Sequence, residues 1–269
     1  MPYLYTGDMD EIKPCSIIMA VWDQLGYTRL AVRYVLENTS TPFEFVIVDN
    51  GSKPDTRAYF DALKGKADIK YIRNETNLGP IKALNQGIAS ARHDYICSIH
   101  NDVIIFERDW LGKIISVMES DPNIGIAGLA GRREIYKTGC VNEDTLKHNL
   151  QNEDLNEPMA EDTAGVAVVD GLCFVMRRAM LDKVKGFDET YGYMHCYDLD
   201  ISLQGIEAGF KNVVVKVEAM HIGNGGMTRR TREYKDLVRD DYGLLKRNCG
   251  IFSKKWRHIL PVKIAVIPK

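Results

Sequence analysis

Phe43-Glu44-Phe45-Val46-Ile47-Val48-Asp49-Asn50-Gly51-Ser52 decides the fold class. Residues 43–48 are almost unbroken apolar and rich in β-branched side chains, as in a strand buried on both faces. The run stops on an acid and a turn. Two readings of Asp49 are open. An acid ending a strand of a doubly wound sheet accepts hydrogen bonds from ribose hydroxyls, and Asp-Asn-Gly-Ser is also good turn chemistry.

Upstream, residues 16–22 form a second apolar run, and 27–36 repeat apolar residues at helical spacing through Leu30, Ala31, Tyr34 and Val35. Downstream, the pattern predicts a helix over 55–63, a strand over 69–72, a helix over 80–91 and a strand over 95–99. This βαβαβαβ order implies right-handed crossovers and a mainly parallel sheet. Asn77-Leu78-Gly79-Pro80 reads as a turn feeding a helix, with Gly79 free for unusual dihedrals and Pro80 at the first helical position. Asn85 falls on the apolar face between Ile81 and Ile88, so its amide needs partners inside the protein or on a ligand.

The second half is less regular. A helix over 109–118 and a strand over 124–129 precede a polar, acidic stretch at 141–163 that has no clear period and reads as a functional or mobile loop. Residues 165–176 read as a strand pair or a long strand broken at Gly171. A helix over 198–208, closed by Gly209, and a strand over 213–217 follow.

The 269 residues, 45% hydrophobic, can bury a full core, and a formal charge of -2 leaves no global field to recruit nucleic acid. The charge is uneven. Residues 143–162 hold seven acids against one Lys, and 228–269 hold twelve Lys/Arg against four Asp/Glu. Six scattered cysteines lack a CxxC pair, which fits reduced thiols in a cytoplasmic protein. Met1 to Pro14 lacks a basic start followed by an apolar stretch, and no run approaches the ~20 apolar residues of a membrane span. In the tail, Lys254, Lys255, Trp256, Arg257 and Lys263 interleave with Ile259, Leu260, Val262, Ile264, Val266 and Ile267. That mixture suits either peripheral contact with an anionic membrane at its cytoplasmic face or packing against the rest of the chain.

Polar motifs gather after the strands. His100-Asn101-Asp102 ends one of them, where a carboxylate beside a diphosphate holds Mg²⁺ or Mn²⁺ through hard oxygen ligands, or is simply an exposed loop acid. Asp198 and Asp200 open a helix, where acids also cap. Leu199 separates them, so one is free for chemistry while the other holds backbone or a cation. His221 precedes Gly223-Asn224-Gly225-Gly226, then Arg229 and Arg230, a segment able to close over phosphates or to stay solvated. No GxGxxG follows the first strand, which argues against a dinucleotide cofactor.

Taken in order, these motifs resemble the family 2 glycosyltransferases of the GT-A fold. The likeness runs from Ser16 to about Gly226, through Val48-Asp49-Asn50-Gly51-Ser52, Asn77-Leu78-Gly79 to Asn85 and Gly87, the motif ending at Asp102, and Gly171 through Gly186-Phe187-Asp188-Glu189 to Tyr197-Asp198-Leu199-Asp200. It implies an α/β fold with one Rossmann-like nucleotide-binding sheet: a catalytic domain over 1–226, with a nucleotide-binding half at 15–102 and an acceptor half at 103–226, then a basic, helical C-terminal extension over 227–269.

The implied activity is inverting, metal-assisted transfer of a hexose-type sugar from a nucleotide-diphosphate sugar to a glycan, lipid-linked or protein acceptor, in polysaccharide or glycoconjugate synthesis. A UDP-sugar is favoured, with dTDP and GDP open. The resemblance gives Asp49, Asn77, Gly79, His100, Asn101, Gly171, Arg229 and Arg230 to the nucleotide sugar, Asp102 and His221 to the metal, and Asp198 to the general base. His100 stands where the first Asp of a DxD motif is usual, and Tyr197 replaces the usual Glu before the base. These departures motivate one alternative, a nucleotide-sugar-binding protein that does not catalyse. A nucleotidylyltransferase is the other, but Ala20-Val21-Trp22-Asp23-Gln24 lacks its glycine-rich phosphate loop.

Overall fold

A computed structural model describes residues 13–65, 67–151, 159–222 and 227–265. The first half runs β1 (Cys15–Val21), α1 (Leu25–Asn38), β2 (Phe43–Asp49), α2 (Pro54–Asp61), β3 (Ile69–Arg73), α3 (Pro80–Ser90) and β4 (Tyr95–Ile99). The middle adds β5 (Val103–Ile105), α4 (Trp110–Ser120), β6 (Ile124–Gly128), β7 (Ala130–Arg132), β8 (Glu134–Ile135) and β9 (Leu146–His148). Then come β10 (Thr163–Val166), β11 (Val168–Val169), β12 (Cys173–Arg177), α5 (Arg178–Val184), α6 (Tyr197–Glu207), β13 (Lys211–Val215) and β14 (Ala219–His221). The chain closes with α7 (Met227–Arg230), α8 (Arg232–Leu237), α9 (Asp241–Trp256) and β15 (Val262–Lys263).

Eight strands form one sheet in the order β10-β13-β6-β12-β4-β1-β2-β3. The β3-β2-β1-β4 side is parallel throughout, as the alternating pattern predicts. The other side is mixed: β12 runs antiparallel to both β4 and β6, and β10 antiparallel to β13. Period-2 geometry explains the apolar runs of β1 and β2. Ile17, Met19, Phe45 and Ile47 face one core, with α1 and α4 over it, whereas Ile18, Val46 and Val48 face a second core covered by α3, α6 and α9. Gly87 lets α3 approach Ile18 closely, because a Cβ there would overlap that side chain.

The expected strand pair at 165–176 is three strands in two sheets. β10 edges the large sheet, β11 leaves it to pair with β7, and β12 enters its middle. The acidic stretch is partly ordered as well. β9 pairs antiparallel with β7 in a small β11-β7-β9 sheet, and its lack of a visible period reflects a strand of only three residues. Residues 152–158 of that stretch lie outside the described residues.

Three apolar side chains of the tail turn inward, and Val266 and Ile267 lie outside the described residues. Phe252, Trp256 and Leu260 are buried in the second core, and β15 pairs with β8. Burial of a side chain such as Phe252 stabilises by about 2–3 kcal/mol, so α9 is a docked element. Lys254, Arg257 and Lys263 stay exposed. Among the described residues, no helix is long and apolar enough to cross a membrane.

Asp200 anchors this docking. Its fully buried carboxylate accepts hydrogen bonds from Tyr191 Oη at 2.8 Å, Trp256 Nε1 at 2.7 Å and Gln204 Nε2 at 2.6 Å, and pairs with Lys255 Nζ at 2.9 Å. Asp200→Ala would strand a buried indole N–H and the Tyr191 hydroxyl, and leave Lys255 paired with Asp188 alone. We expect a loss of about 2–4 kcal/mol in urea unfolding. A change below about 1 kcal/mol would show that α9 docks without it.

Candidate active site

The carboxyl ends of β1, β2 and β4 open onto a cleft. Its wall includes Trp22, Asn50, Asn77, His100, Asn101, Asp102, Tyr193, Tyr197 and Arg229. Asn50, not Asp49, lines it. Asp49 is fully buried and accepts from Ser52 N at 2.8 Å, from Tyr71 Oη and from the Arg73 guanidinium, so its carboxylate closes the turn and ties β2 to β3. Asn50 Nδ2 donates to Gly79 O at 3.1 Å, and Asn77 Oδ1 accepts from Gly79 N at 2.8 Å. Gly79 has φ +86°, and a Cβ there would sit 2.8 Å from Tyr193 O, so only glycine fits this wall.

Asn85 finds its partners within the protein. Its amide donates to Phe187 O at 2.9 Å and Glu189 Oε1 at 3.0 Å and accepts from Phe187 N at 2.9 Å, binding α3 to the Gly186-Phe187 turn.

His100, Asp102 and His221 converge. Each offers one ligand atom, and these atoms all lie within 4.8 Å of one another. The cause is local pairing: β14 lies antiparallel to β5 with His221 opposite Val103, which brings His221 Nε2 to 3.2 Å from Asp102 Oδ1. Burial presses the Asp102 carboxyl up, but its hydrogen bond with His221 and electrostatic attraction to the two neighbouring imidazoles outweigh this and hold it below the usual carboxylate range. Burial, assisted by His221 against the opposing pull of Asp102, pushes His100 down to about 4. At neutral pH this is an uncharged imidazole beside a carboxylate, and with His221 the cluster offers one oxygen and two nitrogens to a divalent cation. Asn101 instead donates to Thr28 Oγ1 at 2.9 Å, fixing the loop to α1.

Tyr197 links this cluster to Asp198. Its hydroxyl lies 3.1 Å from His100 Nε2, and a Cβ on Gly171 would run into that hydroxyl. Gly171 N donates to Asp198 Oδ2 at 2.9 Å, and Leu199 N to Oδ1 at 3.0 Å. Burial first, then the charge of Asp170, pushes the Asp198 carboxyl up to about 6 against these two hydrogen bonds. Asp198 is partly exposed and Asp200 buried, so the two acids of the helix face different surroundings.

α6 starts from two consecutive left-handed residues, His195 at φ 73° and Cys196 at φ 64°. Such backbone costs of order 1–3 kcal/mol per residue and persists where surrounding contacts impose it. Here His195 Nε2 lies 2.8 Å from Asp241 Oδ1, which also accepts from Tyr234 Oη at 2.5 Å. Arg229 Nη1 stands 3.7 Å from the same carboxylate, at the cleft, while Arg230 is exposed. The glycine segment at 223–226 lies outside the described residues.

Four residues escaped the reading of the sequence: Asp170, Arg132, Tyr193 and Asp241. For Asp170 a signal existed, since Val168-Val169-Asp170-Gly171 is another apolar run ending on an acid. Asp241 and Tyr193 carry none, because only tertiary packing brings Tyr193 to the cleft and Asp241 to His195.

Residues 16–185 match the description "Glycosyl transferase family 2", and the chain belongs to that family. It is 24% identical over 79% of its length to an uncharacterized protein, y4gI, of Sinorhizobium fredii. Over 44% of its length it is 25% identical to a poly-beta-1,6-N-acetyl-D-glucosamine synthase of Staphylococcus aureus. The chain spans about a quarter of the length of these curated relatives, 25% and 28%. Among solved structures, it resembles GalNAc-T7 with UDP, GalNAc and Mn²⁺ (TM-score 0.64, 15% identity, covering 86% of this chain and 48% of that one). A mannosyltransferase of Pyrobaculum calidifontis with GDP-Man and Mn²⁺ gives 0.60 at 14% identity, covering 93% and 71%. S. aureus TarS 1–349 with UDP-GlcNAc gives 0.59 at 15%, covering 91% and 72%. The fold is that of the GT-A glycosyltransferases.

Proposed function

We propose that the protein transfers a hexose-type sugar from a nucleotide-diphosphate sugar to an acceptor hydroxyl with inversion. One observation carries the reading: His100 and Asp102, which converge with His221, line a cleft with Asn50, Asn77 and Tyr197, and Tyr197, whose hydroxyl lies beside His100, is followed directly by the part-exposed Asp198. The three solved structures of like fold hold UDP, GDP-Man or UDP-GlcNAc, which supports a nucleotide-linked donor.

In this reading Asn50, Asn77 and the backbone around Gly79 hold the nucleoside, and Arg229 meets the diphosphate through charge-assisted hydrogen bonds. His100, Asp102 and His221 would hold a divalent cation, Mn²⁺ or Mg²⁺, which supplies charge compensation for the departing diphosphate. Asp198 removes the proton of the acceptor hydroxyl as its oxygen bonds to the anomeric carbon, and the bond from that carbon to the diphosphate oxygen breaks. The acceptor class, whether glycan, lipid-linked or protein, is set by the surface around Asp198.

A panel of UDP-, dTDP- and GDP-sugars, each with and without Mn²⁺ or Mg²⁺, tests the reading. One donor class should raise the melting temperature by about 5–10 °C at a hundredfold excess over Kd, only with metal. It should also release nucleoside diphosphate slowly by hydrolysis. Stabilisation with neither hydrolysis nor transfer to any acceptor identifies a binding protein, and no stabilisation by any donor removes the reading altogether.

A further inference from the structure

Arg132 is a guanidinium inside the protein, its side chain 16% exposed, with two acids on it. Its Nε donates to Glu143 Oε2 at 2.6 Å, and its Nη1 donates to Asp170 Oδ1. The small sheet sets this geometry. Arg132 lies opposite Val168 of β11 and Leu146 of β9, and Asp170 N donates to Ala130 O at 2.9 Å. Asp170 therefore sits against β7 at the point where the chain turns into Gly171, the residue whose N–H holds Asp198.

The groups facing Asp198 come from few places. Asp170 precedes β12, Tyr197 and Cys196 sit at the start of its own helix, and His100 with Asp102 lies beyond the Tyr197 hydroxyl. Asp200 spends its carboxylate on Tyr191 and Trp256. Burial and neighbouring acids hold the Tyr197 hydroxyl and the Cys196 thiol neutral across the physiological range. That leaves Asp170 as the neighbouring acid that pushes Asp198 up, and the Arg132 guanidinium is hydrogen-bonded to that acid.

Resting on the reading of Asp198 as the base, we propose that Asp170 and Arg132 form a positioning pair that sets the basicity of Asp198, with Glu143 holding the guanidinium in place. A carboxylate close to the base makes it a stronger proton acceptor, and the guanidinium behind keeps that effect from leaving the base protonated at working pH. The pair acts through Asp198 and touches no substrate. It also gives the acidic stretch a task, because Glu143 belongs to it.

The test needs no substrate. Carboxyl-carbon NMR of the ligand-free protein follows the titration of Asp198, whose signal is identified by its absence in Asp198→Asn. Asp170→Asn should move the midpoint down by about one pH unit, and Arg132→Gln should move it up by a similar amount, with Arg132→Lys closer to the starting value. A midpoint unmoved in Asp170→Asn, or moved the same way in both variants, overturns the pair. If Arg132→Gln does not fold, the near-isosteric Asp170→Asn and the charge-keeping Arg132→Lys decide. Should the midpoints move as expected while Asp198→Asn keeps full transfer activity, the pair stands and the assignment of Asp198 as base falls.

Discussion

Asp198→Asn is expected to lower sugar transfer by about 10²–10⁴-fold, the usual effect of removing a general base, while nucleotide-sugar binding stays within a few-fold of normal. The amide keeps the shape but cannot take the acceptor's proton. Structural damage alone would be too small to explain such a loss. Both carboxylate oxygens accept backbone N–H groups, from Gly171 at 2.9 Å and Leu199 at 3.0 Å, so the amide NH₂ must oppose one donor. One lost hydrogen bond costs about 1–2 kcal/mol of stability, whereas a 10⁴-fold loss needs about 5.5 kcal/mol in the transition state. The pH profile separates the two further. A carboxyl pushed up to about 6 by burial and Asp170 is charged above that pH and protonated below it. A base must be unprotonated to act, so wild-type transfer should fall as pH drops through about 6, and the residual rate of Asp198→Asn should lack that limb. Near-normal turnover in the variant would remove Asp198 from the mechanism. His195, the next candidate by position, has its Nε2 already engaged by Asp241.

The parallel half of the fold was legible because its strands are buried on both faces. A run such as residues 43–48 has no other stable use, and the alternation of Ile17 and Ile18 between two cores needs apolar residues at every step. The other half was less so. β9 and β11 are three and two residues long, too short for a period to show, and their pairing with β7 is fixed by contacts distant in sequence. At the cleft, Asp102, an acid ending an apolar run, lies beside His221, whereas the same signal at Asp49 marks a buried carboxylate bound to Ser52, Tyr71 and Arg73. Position after a strand tells that an acid reaches the sheet's carboxyl edge. Whether it faces the cleft depends on the next strand, and β3 supplies Tyr71 and Arg73 to Asp49 where β5 and β14 supply only His221 to Asp102. The tail left two readings open for a related reason: alternating charge and apolarity at 254–264 describes a half-buried surface, and the chain's own core covers it.

Asp102→Ala is expected to abolish metal-dependent nucleotide binding and to lower transfer by about 10²–10⁴-fold, the several kcal/mol that a cation contributes to stabilising a departing diphosphate. Asp102 is the one carboxylate in the cluster; without it two imidazoles remain, and a hard cation prefers oxygen. The fold should tolerate the change, since the link from Ile222 N to Asp102 at 2.9 Å uses the backbone carbonyl and survives truncation. Manganese titration followed by electron paramagnetic resonance measures the loss directly, and unchanged transfer in excess chelator would show that the cluster is not a metal site. His100→Asp asks the converse question. If His100 only fills the place of a second acid, the variant should bind Mn²⁺ at least as tightly as the wild type, because a second carboxylate adds attraction for the cation. It should also be less stable without metal, since two buried carboxylates then repel each other and the contact of His100 with Tyr197 at 3.1 Å is lost. Weaker binding in His100→Asp would mean that the imidazole is a ligand in its own right, with the Tyr197 hydroxyl fixing its orientation, as partners on a ligand's second nitrogen commonly do.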